Sequence, residues 1–157
     1  MEKRTINELK RRILNKNRKK DDNTIISASL LKELDEYRLQ NKGPSFSDAI
    51  DKYIRDNNIK ASELYTRACI DRRVYSKMSN KDYRISKNTA ICFCIAMNLS
   101  VIETQELLKR SGFALSNYED FDIVITYFLE KKVYDIFEIN SYLEELNLPL
   151  LGQKIRE

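Results

Sequence analysis

The chain has 157 residues, 42% hydrophobic and 33% charged, with a formal net charge of +4. That apolar share is enough for a buried core and excludes global disorder, while no apolar run approaches the roughly 20 residues of a membrane span. Three glycines, two prolines, no histidine and three cysteines without CxxC spacing point to a helix-rich chain with reduced, packed thiols and without the commonest general base or metal ligand.

The first twenty residues hold nine Lys/Arg against two Asp/Glu. Thr5 and Glu8 stand at capping-box spacing, which predicts a helix from near Ile6 with Ile6, Leu9, Ile13 and Leu14 as a narrow apolar stripe. Lys10, Arg11, Arg12, Lys16, Arg18, Lys19 and Lys20 make a basic arm around it. Three settings suit such an arm: a phosphate backbone, an acidic protein surface, or plain solvent, with nucleic acid slightly favoured. The stripe itself asks for something to pack on, such as a second copy of the chain. Asp21 to Thr24 break the pattern. A second helix fits the segment from Ser27, on Leu30, Leu31, Leu34 and Tyr37, and stops at Gly43. Residues 1–43 are thus read as a basic helical extension folded as a hairpin.

Pro44 and Ser45 mark a boundary, and residues 44–152 read as the main domain, followed by a short tail at 153–157. Ser45 caps a third helix that turns Phe46, Ala49, Ile50, Tyr53 and Ile54 inward. Two short helices are predicted over Ala61 to Ala68 and Asp71 to Met78, with Asp71 capping the second. Ser86 caps "KNTAICFCIAMNL", and Ser100 caps "VIETQELLKRSG", which stops at Gly112. Two further helices fit "YEDFDIVITYFLEK" and "YDIFEINSYLEELN". No strand pattern competes, so the fold class is all-α.

Residues 60–87 carry eight Lys/Arg and three Asp/Glu, whereas residues 113–150 carry two and eight. In the basic stretch, Leu64, Ala68, Ile70, Tyr75 and Met78 fall where two short helices crossing at a steep angle share one apolar patch. The other side of the second helix presents Arg72, Arg73, Ser76 and Lys77, with Asn80 just beyond. From Ser45 onward, "SFSDAIDKYIRDNNIKASELYTRACIDRRVYSKMSN" followed by "SKNTAICFCIAMNLSVIETQELLKRSG" resembles the lambda-repressor-like (Xre-type) helix-turn-helix family. The tail "FDIVITYFLEKKVYDIFEINSYLEELNLPLLG" is similar to the two-helix extension of a bacterial version of that module. The resemblance implies a five-helix core with an N-terminal helical extension and two C-terminal helices. It also implies that Arg72, Arg73, Ser76, Lys77 and Asn80 meet a DNA groove and that Lys81, Arg84 and Lys87 meet phosphates. The chain departs from the family at two places: Tyr65 stands where a small residue is usual, and Cys69 where the turn usually has glycine.

The eight aromatic residues Phe113, Tyr118, Phe121, Tyr127, Phe128, Tyr134, Phe137 and Tyr142 lie at helical spacing and are expected mainly in the core. Some are candidates for a protein-partner surface. Glu119, Asp120, Asp122, Glu138, Glu144 and Glu145 read as a solvated acidic face that repels DNA. Cys92 and Cys94 read as core thiols. No phosphate loop, nucleophile elbow or ligand cluster appears, so no enzyme activity, cofactor or metal is expected. With no secretory signal visible, a cytoplasmic setting and no membrane contact are expected. The combined expectation is a protein that binds double-stranded DNA, specifically or not, as a homodimeric transcriptional regulator of a bacterium, phage or mobile element. The alternative is a protein-interaction module on the same fold that inhibits or senses a nucleic-acid-handling complex, in the manner of an antitoxin or an anti-CRISPR protein.

Overall fold

The computed structural model describes residues 2–18 and 26–152, with side chains from 5 to 13 and from 26 onward. Nine α-helices and no strand occur among these residues: α1 (Glu2–Arg18), α2 (Ala28–Asn41), α3 (Phe46–Asn57), α4 (Ala61–Arg67), α5 (Arg72–Lys77), α6 (Lys87–Ala96), α7 (Val101–Lys109), α8 (Asp120–Glu130) and α9 (Ile136–Glu145). The all-α fold class holds. The chain divides into two compact units, residues 1–42 and residues 43–157.

In the first unit, α1 begins at Glu2, ahead of the expected start near Ile6. Thr5 and Glu8 therefore lie inside the helix, where a capping box cannot act. Glu2, Lys3 and Arg4 are all tolerable helix formers that let the helix run on. Ser27 caps α2, its Oγ accepting from the Leu30 N–H at 3.3 Å. Every described α1 side chain from Thr5 to Ile13 is exposed, and α2 buries none. The expected hairpin therefore has no core among the described residues, and its bend at 19–25 lies outside them, as do Lys19, Lys20 and the tail at 153–157. The side chains of Leu14, Lys16 and Arg18 also fall outside the description.

The second unit is built around α6, in which Thr89 through Ala96 are all buried. A helix apolar on every side has to be enclosed, and α6 packs against both α4 and α7, while α3 and α8 lean on α7 and α9 on α8. The Phe46 ring of α3 meets Phe93 of α6 edge-on at 6.3 Å. The two thiols of α6 are enclosed with it, and burial pushes both Cys92 and Cys94 up to about 12. They are packed thiols, with Cys92 donating weakly to Asn88 Oδ1.

Helix starts follow the local signals. Ser45 and Ser100 each form a full capping box, with Asp48 and Glu103 respectively, and Ser86 and Asp71 cap α6 and α5. The stops follow one device repeated. Asn58, Cys69, Asn98, Gly112, Lys132 and Asn147 all have φ between 49° and 77°, each just past a helix. The residue after each sends its N–H back five positions: Ile59 to Ile54, Ile70 to Tyr65, Leu99 to Cys94, Phe113 to Leu108, Val133 to Phe128 and Leu148 to Leu143. These are left-handed caps with an apolar residue following that packs on the core. Asn tolerates that backbone well. The device lets a chain of three glycines turn six sharp corners.

Candidate nucleic-acid interface

Helices α4 and α5 are joined by a turn whose left-handed residue is Cys69, at φ 55°. Leu64, Ala68, Ile70 and Met78 are buried between this pair and α6, as their spacing implied, with Tyr75 and Val74 half-buried beside them. Tyr65 of α4 is half-buried. Its ring lies against Tyr75 at 5.3 Å, and Tyr75 in turn touches Phe93 at 6.4 Å. The Ser47 hydroxyl donates to the Met78 carbonyl at 2.7 Å and fixes the end of α5 to α3.

The polar residues of the pair stay outside. Arg72, Ser76 and Lys77 are exposed on α5, and Lys81 and Arg84 on the loop that follows. Arg73 is exposed too, but its guanidinium folds back on Asp71, with Nε 3.2 Å from Oδ1. Asp71 also caps the helix by accepting from the Arg73 N–H at 2.7 Å. These bonds hold the Asp71 carboxyl below the usual carboxylate range and raise the Arg73 pKa. The pair is still a solvated one, with 84% of the Arg73 side chain exposed, so it is a weak tether. Asn80 is exposed, and its Oδ1 accepts from the Asp82 N–H at 3.0 Å, which shapes the loop.

Lys87 differs from these exposed cations in having a buried partner. Its Nζ lies 2.6 Å from Oδ2 of Asp122, and that carboxylate is buried. The same oxygen accepts from the Ser116 N–H at 2.8 Å. Lys87 is thus engaged by a buried carboxyl group while a third of its side chain stays in water. Asp122, expected on a solvated face, is the most buried acid among the described residues. Asp120, two residues earlier, is exposed, as i,i+2 geometry requires.

No family model, curated protein or solved structure matches this chain.

On the first unit, Lys10 and Arg11 are exposed, and Arg12 pairs with Glu8 at 3.1 Å on the same helix face. Among the described residues no group of three or more His, Cys, Asp or Glu could hold a metal ion, and no helix is long and apolar enough to cross a membrane.

The sequence pattern does not reveal three features that matter for the site. Lys87–Asp122 joins residues 35 apart in the chain, which no local pattern marks. The segment after α9 straps back over α6: Asn88 donates to the Leu150 carbonyl at 2.8 Å and accepts from the Gly152 N–H at 3.0 Å. Gly152, at φ 86°, lies so near the α4–α5 turn that a Cβ there would sit 3.2 Å from the Cys69 carbonyl oxygen. Its being a glycine in a chain with three is the only clue.

Proposed function

We propose that the chain binds double-stranded DNA through α4 and α5 as a helix-turn-helix of the lambda-repressor-like kind, acting as a homodimeric transcriptional regulator of a bacterium, phage or mobile element. One observation carries the reading. The α4–α5 pair buries its apolar side on α6 and leaves Arg72, Ser76 and Lys77 exposed on the outer side of α5, with Lys81 and Arg84 beside them. A short helix so presented can enter a major groove while flanking cations hold phosphates. Arg72 is unpaired among the described residues and is the foremost candidate for a guanine contact. Arg73 joins it by exchanging Asp71 for a base or phosphate. In this reading Lys10, Arg11 and Arg12 supply further phosphate contacts.

The test is fluorescence anisotropy on random duplex DNA across a salt series. Affinity should fall steeply with salt, and Lys81→Ala with Arg84→Ala should lower the log–log slope by about 2. Arg73→Glu with Lys77→Glu should abolish binding and leave the far-UV circular dichroism unchanged. A slope untouched by these changes, or no duplex binding at low salt, overturns the reading. A second reading, a protein-interaction module on the same fold, is favoured by the self-pairing of Arg73, Asn80 and Lys87; it expects that last outcome.

A further inference from the structure

Helices α8 and α9 carry an exposed aromatic shelf that the DNA reading does not use. Tyr127 stands edge-on to Phe128 at 5.5 Å, and Phe128 meets Tyr142 at 5.5 Å. Phe128 is buried, while Tyr127 and Tyr142 are each 54% exposed, so two half-open rings flank one sunken ring across the two helices. Ile123, one turn before Tyr127 on α8, and Leu146, one turn after Tyr142, are also exposed and add apolar surface to the two helices. This is more apolar surface than scattered single residues make.

Acids border it. Glu130 lies three residues after Tyr127, and Glu138 and Glu145 lie four before and three after Tyr142, so helical spacing puts all three beside the rings. All three are exposed, and none joins an ion pair among the described residues. The Tyr127 ring face already takes a cation, with Lys131 Nζ 5.7 Å from its centroid.

We infer that this shelf docks a lysine- or arginine-bearing amphipathic helix of a partner protein. The acidic border selects among occupants. DNA and anionic lipid headgroups are repelled by it, and a second copy of the same face would bring like charges together. A cationic helix satisfies it: apolar side chains cover the rings, and flanking cations meet Glu130, Glu138 and Glu145. The two 5.5 Å steps put the tyrosines within about two helical turns, the span of anchors at i and i+7 on the incoming helix. Tyrosines with rings half open and already oriented by packing lose little freedom on binding, which suits them as anchors. The inference does not rest on the DNA reading, and its test contains no DNA.

The full chain is titrated into a fluorescein-labelled 18-residue Leu/Lys peptide of amphipathic helical pattern. Companion titrations use a Leu/Glu peptide of the same pattern and a Leu/Lys peptide of scrambled order. The patterned Leu/Lys peptide should bind at least tenfold more tightly than either companion. Tyr127→Ala with Tyr142→Ala should weaken it at least tenfold. Glu138→Gln with Glu145→Gln should weaken it at low salt and flatten the salt dependence, and as this variant alters only exposed side chains it decides the matter if the tyrosine variant fails to fold. Equal affinity for the Lys and Glu peptides, or binding unchanged in the folded variants, overturns the inference.

Discussion

Asp122 has 1% of its surface exposed, and that burial decides what Lys87 can do. A carboxylate withdrawn from water must find compensation on the spot, and the Lys87 ammonium and Ser116 N–H provide it. The two partners are not equivalent. Lys87 keeps a third of its side chain in water, so without Asp122 it can swing outward, whereas Asp122 without Lys87 stays enclosed with only the Ser116 N–H as a partner for that oxygen. Lys87→Met should therefore destabilise the chain by about 3 kcal/mol, the range for breaking a buried pair from the exposed side. Asp122→Asn, which keeps an oxygen for Ser116, should cost clearly less. Urea unfolding of both variants at neutral pH checks the ordering. A loss below about 1 kcal/mol for Lys87→Met would return Lys87 to the set of free surface cations.

At the scale of the element, what the sequence discloses is whatever is local. The caps at Ser45, Asp71, Ser86 and Ser100 need a side chain to reach only two or three residues along, and they are where the spacing puts them. The inward face of α4 and α5 is legible for the same reason: Leu64, Ala68, Ile70 and Met78 repeat at helical period. The asparagine stops, although local, escape a reading that looks for glycine. The aromatic third departs from its expected burial for a physical reason. Helical spacing puts Tyr127 and Tyr142 beside buried neighbours such as Phe128 and Leu143, yet both rings lie at the border of the buried face and stay half out. The α6 helix gives an element-scale prediction. Its two thiols ordinarily titrate near 9, and enclosure pushes them up to about 12. The folded state thus favours the protonated thiols, so their contribution is fully present below about pH 9 and is lost as the pH rises towards 12. Each pH unit in that window costs up to about 1.4 kcal/mol per thiol. Urea midpoints should fall more steeply between pH 8 and 10.5 for the natural chain than for Cys92→Ala with Cys94→Ala. Tyrosine and lysine ionisation enters both curves alike, so the difference reports the thiols.

At the scale of the molecule, the hydrophobic core among the described residues runs from Phe46 to Leu151, within the second unit. The last described turn belongs to it: Leu151 is buried, exchanges hydrogen bonds with the Asn140 amide in both directions, and leads into the Gly152 strap over α6. A unit that owns a complete core, its helix caps and its closing strap should fold alone. Residues 43–157 should show a cooperative urea transition within about 0.5 kcal/mol of the full chain's main transition, since the fragment keeps the whole cluster from Phe46 to Leu151. Residues 1–42 alone should melt broadly, since helices of this length are marginal in water without packing. The same fragment then weighs the basic arm in the DNA reading. If α1 cations hold phosphates, residues 43–157 should bind duplex DNA with a salt slope lower by about 0.9 for each phosphate that the arm neutralises, and the α5 variants should still lower it further. A fragment that binds with the full chain's slope removes the arm from the interface and leaves α5 and its loop as the whole of it.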